Sequence, residues 1–557
     1  MCSFLQHWRH AMKRSKLTWS ALAVLAISGC GGGGSGDPVV SQPTEPIQLA
    51  PLAPNCEAIG DLVFDKTVFS SASRIADGAV SSGGVPMPEH CLIVGEINPR
   101  IGVNDVAYGI KFQLRLPLNW NGRFQFQGGG GVDGSVPNAY GTLRSSVMPA
   151  LAQGSAVISS DMGHVGAGRD ASFGLDPQAR IDWGYNAVDK ATQLGKAIVD
   201  RFYGNPAKYT YYVGCSGGGR QAMIASQRLP HLFDGVVAGA PILEQHAAQI
   251  GSMWGIQAFA AIAPLAADNK PILSQAFSTA DQALIADGLL GACDGLDGAV
   301  DGLIENYQAC RFNPAVLQCA GAKDATCLSA DQVNALTKTM AGPRNSAGEQ
   351  LYPGIPWETS IRGTTWRGNW LGTSATSTPN AARSTNQSIK YVFMTPPQPD
   401  FDYFQFNFDT DVALLTESAA ITASTSTDYT VFKKKGGKAI IFTGNGDSLV
   451  NPAGVNRWYR NLVDDNGGLK ATKEFAVFYN VPGMEHCSGG SALDVFDPVT
   501  PLYDWVEKGV KPPPMMATGS SFPGRTREIC AYPLIARYKG FGDVNDPTSF
   551  RCEEGWP

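Results

Sequence analysis

Histidine is scarce in this chain: there are seven in 557 residues. Two of them, His7 and His10, fall in the first thirty residues. Any imidazole chemistry must therefore be assigned among His90, His164, His231, His246 and His486. No Cys-x-x-Cys motif and no Cys/His cluster is present, which removes the usual zinc sites. Neither a basic stripe nor a basic run interleaved with aromatics occurs, and the net charge is −6. Nucleic acid thus has no electrostatic footprint to bind. There are no internal repeats and no heptads, so solenoids and coiled coils are excluded. Charged residues make up only 17% and hydrophobic residues 43%, a balance that suits a folded soluble protein. The length allows more than one hydrophobic core.

The apolar run nearest the N-terminus, Leu17 to Ile27, is too short to span a bilayer well. Arg9, Lys13, Arg14 and Lys16 precede it, and Ile27-Ser28-Gly29-Cys30 ends it. Residues 1–30 therefore read as an export leader. Its end resembles a bacterial lipoprotein box, in which Cys30 would carry a lipid and anchor the chain to a membrane. An ordinary secretory signal with a chance cysteine is the alternative. Both export the protein from a bacterial cell, to the periplasm, the outer membrane or the medium. Residues 31–55 are rich in Gly and Ser, then Pro, and read as a disordered tether.

Twelve cysteines suit an oxidising compartment. Cys2 leaves with the leader. Short spacings suggest the pairs Cys56–Cys91, Cys293–Cys310, Cys319–Cys327 and Cys530–Cys552. Cys215 and Cys487 then remain for each other, unless Cys215 is a buried free thiol.

From residue 106 the chain has a strand–helix rhythm. Residues 106–116 alternate apolar and polar, and Arg123 to Gln127 reads as a second strand ending in four glycines, 128–131. Ser155 to Ser159, Tyr209 to Val213 and Val236 to Pro241 read as further strands. Asp182 to Tyr203 and Gln221 to Gln227 have helical spacing. This alternation predicts a parallel sheet covered by helices on both faces. Residues 246–430 lose the rhythm and are rich in Ala, Ser, Thr, Asn and Trp, which predicts a large inserted lid. The rhythm returns at Lys438 to Thr443 and Glu474 to Tyr479. The expected fold is an α/β-hydrolase core, residues 56–245 and 431–557, split by a lid.

Gly214-Cys215-Ser216-Gly217-Gly218 fits the G-x-S-x-G elbow, a strand-to-helix turn that exposes a nucleophilic serine. A serine hydroxyl needs a base to remove its proton, and only His486 follows a late strand. Asp447, in Gly444-Asn445-Gly446-Asp447-Ser448, follows the strand before it. The order Ser216…Asp447…His486 is that of α/β-hydrolases. The acid would fix the imidazole tautomer, although Asn-Gly-Asp is also good turn chemistry. Oxyanion donors are expected at the N–H groups of Gly217 and, from the glycine run, Gly131. His164 could line the pocket but better suits a structural role, and His231 reads as a helix-end surface residue.

A second constellation lies in the lid. Asp294, Asp297 and Asp301, with glycines between, suit a hard cation that prefers oxygen ligands. The carbonyls of Ala299 and Leu303 would complete its shell. A solvated acidic turn is the alternative.

Gly-Cys-Ser-Gly-Gly-Gly-Arg220, Gly-Met-Glu-His486-Cys487 and the acidic lid loop together resemble the tannase/feruloyl esterase family. The resemblance covers nearly the whole exported chain. It implies an α/β-hydrolase core, a lid with structural calcium, and five disulfides, one joining Cys215 to Cys487. It also implies a serine carboxylesterase acting on small aromatic esters. Phe173 to Arg180, Met340 to Pro343 and Ile535 to Gly540 are most similar to members that cleave a terephthalate half-ester. Such members carry a lid arginine for the substrate carboxylate, matched here by Arg383. The ring-clamping phenylalanine four residues on is Gln387 here. A lid tryptophan falls on Asn369, beside Trp370, and the glutamate after the nucleophile is Gly217. The resemblance thus leaves hydroxycinnamate and gallate esters as the alternative substrates. A surface lipoprotein that binds aromatic esters without turnover is the alternative of another class.

Overall fold

The computed structural model describes residues 51–143, 147–166 and 170–555. The leader, Cys30 and all but the end of the tether lie outside the described residues. No helix among the described residues is long and apolar enough to cross a membrane.

Nine strands form one sheet. In chain order they are β1 (Thr67–Ile75), β2 (His90–Ile101), β3 (Ala107–Pro117), β4 (Arg123–Gln127), β5 (Ala156–Ser160), β6 (Tyr209–Cys215), β7 (Gly235–Gly239), β8 (Lys438–Gly444) and β9 (Ala476–Val481). Their spatial order is β1-β2-β3-β5-β4-β6-β7-β8-β9. From β5 to β9 every pairing is parallel. The expectation of a wholly parallel sheet needs correction, because β1, β2, β3 and β5 pair antiparallel. β1 is half polar (TVFSSASRI). β2 is apolar at successive positions and contains Pro99, so neither carries a clean alternation.

The parallel strands are buried on both faces, and a period of two divides their side chains. Tyr212, Val236, Ala238, Ile441 and Phe478 pack on one side with the helix α1 (Ala187–Tyr203). Tyr211, Val213, Val237, Ile440, Phe442 and Tyr479 pack on the other with Val499, Leu502 and Trp505. β6 runs directly into α2 (Gly217–Arg228).

No strand of this sheet arises between β7 and β8. That stretch begins with α3 (Gln245–Ala260) and contains α4 (Thr279–Cys293), α5 (Ala330–Ala341), α6 (Thr364–Trp370) and α7 (Asn380–Ser388). Residues between Ile256 and Ala382 share a hydrophobic core of their own. Ile389, Phe393, Phe406, Leu415, Tyr429 and Phe432 instead join the core beside α1. The later part of the expected lid therefore packs as part of the hydrolase body.

All five disulfides join the expected partners: Cys56–Cys91, Cys215–Cys487, Cys293–Cys310, Cys319–Cys327 and Cys530–Cys552. They suit a chain that folds in an oxidising compartment.

Candidate active site

Ser216 stands on the turn between β6 and α2, with φ +63° and ψ −124°. A non-glycine residue there is strained, and its surroundings hold it. Its N–H donates to Gly239 O at 2.9 Å. The turn is tight because its flanks are glycine. A Cβ on Gly214 would stand 2.7 Å from the Gly218 carbonyl carbon, and one on Gly218 would stand 2.8 Å from Gly129 O.

His486 reaches the serine from the loop after β9, with Nε2 2.7 Å from Ser216 Oγ. Its Nδ1 lies 2.8 Å from Asp447 Oδ2, on the loop after β8. An ionised carboxylate only accepts, so Nδ1–H donates and Nε2 is left to accept the serine proton. Asp447 Oδ1 accepts from the N–H groups of Leu449 and Val450, each at 2.9 Å. The two loops are also tied by Gly446 N–H donating to Met484 O at 3.0 Å. The disulfide joins Cys215, before the serine, to Cys487, after the histidine, with Cα atoms 6.1 Å apart.

The glycine run lies against the serine turn. Gly131 has φ +61°, and a Cβ on Gly217 would stand 2.9 Å from Gly131 O. Gly218 N–H donates to Gly129 O at 3.1 Å. Underneath, Gln221 of α2 accepts from Gly129 N–H at 3.3 Å and from Tyr212 Oη–H at 2.6 Å. Its amide donates to both Asp133 oxygens at 3.0 Å. Burial pushes the Asp133 carboxyl up to about 7. Arg220 is wholly buried, stacks over Trp183 at 4.2 Å and donates to Trp183 O and Gly184 O, each at 2.9 Å. Burial lowers its guanidinium to about 10. Sequence reasoning gave neither Asp133 nor Arg220 a role. The signal available was an acid two residues past the glycine run and a cation at the first turn of the elbow helix.

His164 is buried, with its ring stacked on Phe173 at 3.7 Å, and burial lowers it to about 4. It serves packing. His231 is exposed, as expected. The lid residues assigned to substrate are less gathered. Arg383 is exposed on α7 and donates to Asn380 Oδ1 at 3.1 Å. Gln387 is half-buried one turn on. The Trp370 ring is buried against Gly255 and Phe259. Its edge lines a narrow cavity shared with Asp447, Ser448 and Leu449. Its weight therefore lies in lid packing.

In the acidic loop, Asp294 and Asp297 are buried, and the side chain of the half-buried Asp301 is enclosed. Asp294 Oδ1 accepts from the N–H groups of Asp301 and Gly302 at 3.2 and 3.1 Å. Asp297 Oδ1 accepts from Ala299 N–H at 2.9 Å, and its Oδ2 has no partner. Asp301 pairs with Arg527 at 2.7 Å, and its Oδ1 accepts from Leu303 N–H at 3.1 Å. As they stand, no three His, Cys, Asp or Glu side chains among the described residues are set to hold a metal. The oxygen donors are of the type calcium prefers, and Asp297 Oδ2 is the loop's carboxylate oxygen without a hydrogen-bond partner.

A strand–serine–helix turn, with acid and histidine on the loops after two later parallel strands, defines the α/β-hydrolase class. Residues 91–553 match the family model described as tannase and feruloyl esterase, and the chain belongs to that family. It is 39% identical over 553 residues to the mono(2-hydroxyethyl) terephthalate hydrolase of Piscinibacter sakaiensis, covering 89% of this chain and 91% of that protein. It is 30% identical over 482 residues to a probable feruloyl esterase of Arthroderma benhamiae, covering 81% and 83%. The crystal structure of feruloyl esterase B from Aspergillus oryzae superposes with a TM-score of 0.76 at 24% identity, covering 89% of this chain and 99% of that one. The chain is thus an esterase of this family.

Burial disfavours the charged imidazole of His486, but the Asp447 charge and hydrogen bond outweigh it and raise the ring above its ordinary 6.5. A general base must be neutral. With His486 as the base, ester hydrolysis should be lost as pH falls through the raised value, and the acid limb of kcat/KM is expected to centre above 6.5. Asp447→Asn should move the limb to lower pH and cost about 10⁴-fold in kcat. A wild-type limb centred below 6.5 would contradict this geometry.

Proposed function

We propose that this esterase hydrolyses small esters of aromatic carboxylic acids through Ser216, His486 and Asp447. The observation that carries the reading is the unbroken Asp447–His486–Ser216 hydrogen-bonded chain at a strand-to-helix turn. Ser216 Oγ bonds to the ester carbon, and its proton passes to His486 Nε2. The carbonyl oxygen becomes an oxyanion, facing the N–H groups of Gly217 and Gly131. The tetrahedral species then collapses. The bond to the alcohol oxygen breaks, and Nε2 returns the proton to that oxygen. Water repeats the sequence and releases the acid. Asp447 holds the imidazole tautomer and balances the imidazolium.

Within that class we favour a terephthalate half-ester, mono(2-hydroxyethyl) terephthalate, giving terephthalate and ethylene glycol. Support comes from the relative named for that substrate and from Arg383, whose exposed guanidinium suits a carboxylate. A hydroxycinnamate or gallate ester is the second reading. It is favoured by Gln387, which offers no ring to clamp an aromatic acyl group, and by the feruloyl esterase relative. Export, with a lipid on Cys30 as membrane anchor, belongs to the same proposal. The alternative of a binding lipoprotein without turnover is answered by the Ser216→Ala arm below.

We also propose a structural calcium ion in the lid, held by the carboxylates of Asp294, Asp297 and Asp301 and the carbonyls of Ala299 and Leu303. The unpartnered, buried Asp297 oxygen supports it. The ion would neutralise buried carboxylates and hold the loop closed by Cys293–Cys310.

Residues 31–557 should turn over mono(2-hydroxyethyl) terephthalate with a higher kcat/KM than methyl ferulate, and Ser216→Ala should abolish both. Preference for the ferulate would replace the first reading with the second, and activity surviving in Ser216→Ala would remove the enzyme assignment from this site. Separately, a calcium chelator should lower Tm, and added calcium should restore it. An unchanged melt would count against the ion.

A further inference from the structure

One short stretch of the lid, residues 358–370, grips the loops that carry the acid and the base. Glu358 is buried. Its Oε1 accepts from Gly483 N–H at 2.7 Å, across 125 residues of sequence and three residues before His486. Its Oε2 accepts from Thr359 N–H at 2.5 Å and from Thr359 Oγ1 at 3.2 Å. Gly483 has φ +66°, and a Cβ there would collide with Ser491 O, so the position Glu358 holds admits only glycine.

The following turn, Thr359–Arg362, rests on the acid loop. A Cβ on Gly446 would stand 2.8 Å from the Ser360 Cβ, one residue before Asp447. Asn369 Nδ2 donates to Ser448 O, one residue after Asp447, at 2.5 Å. The body grips back. The Glu485 carboxyl, one residue before His486, packs so closely on Gly363 that a Cβ there would stand 2.5 Å from its Oε1. The lid thus touches the chain on both sides of Asp447 and at two points just before His486.

We propose that Glu358 is a positioning residue: it docks the lid onto the His486 loop, so that the lid assembles the Asp447–His486 pair as well as covering the substrate. The lid would then be needed even for an ester too small to touch it. This inference rests on the catalytic reading of Ser216, His486 and Asp447.

Glu358→Gln tests it. The amide keeps one acceptor for a backbone N–H but turns a donor toward the other. Both methyl acetate, which carries no aromatic ring on either side of the ester, and an aromatic ester are assayed. A displacement of about 1 Å at a catalytic group costs on the order of 10²-fold. We expect kcat to fall by about tenfold or more for both esters by the same factor, with KM for the aromatic ester within about twofold. Asn369→Ala, which releases the Ser448 carbonyl on the acid side, should give the same pattern and serves if Glu358→Gln does not fold. Unchanged kcat on the acetate, or a loss confined to KM for the aromatic ester, would overturn the proposal and leave the lid as a substrate cover. Ser216→Ala separates the failures: if it stays active the catalytic reading falls, and if it is dead while the lid variants keep acetate turnover, only this inference falls.

Discussion

The Cys215–Cys487 disulfide is the constraint on which the rest of the site depends. It joins residues 272 apart in sequence, one beside Ser216 and one beside His486. The lid leaves the sheet after β7 and returns before β8, so it lies wholly inside the ring this bond closes. Without this bond, serine and histidine would be linked only by the sheet and by non-covalent contacts of the loops and the lid. In the chain-entropy account a closed loop beyond a hundred residues is worth more than ~4.7 kcal/mol. Its local effect is of equal interest. Ser216 and His486 are each one residue from the bonded Cys215–Cys487 pair, which limits how far Oγ and Nε2 can part.

The other parts of the site converge on that link. Glycine at 214 and 218 lets the serine turn and the glycine run 128–131 share space that a Cβ would fill. The loop is held from below by the Asp133–Gln221–Tyr212 hydrogen bonds, and the base loop from above by lid Glu358. The Gly218–Gly129, Gln221–Asp133 and Gly483–Glu358 contacts each cross between segments distant in sequence. The serine, acid and histidine are thereby oriented by a shell of buried polar groups, and burial strengthens such networks when they are satisfied.

The parts legible in the sequence were those with a local period or a fixed spacing. Strands buried on both faces stood out as apolar runs, and the Gly-x-Ser-x-Gly turn and the chain order of Ser216, Asp447 and His486 located the site. The pairs of cysteines close in sequence left Cys215 and Cys487 to each other. What was not legible has a physical reason in each case. β1 and β2 escaped because Ser70, Ser71 and Ser73 interrupt one and Pro99 lies in the other. The Glu358–Gly483 bond escaped because a backbone N–H leaves no mark on the residue type that receives it. Trp370 was expected beside the substrate; its ring packs on Phe259 in the lid's own core, and its edge lines a cavity shared with Asp447. Arg383 stands exposed, where sequence cannot distinguish a carboxylate reader from a solvated cation.

The most direct test is kcat of Cys215→Ala/Cys487→Ala, measured on an aromatic ester well below the variant's own Tm. If the bond positions nucleophile and base, the folded variant should lose about 10²-fold in kcat, as expected for a displacement of ~1 Å. A folded variant with wild-type kcat would mean that the sheet, the loops and the lid hold Ser216 and His486 without it.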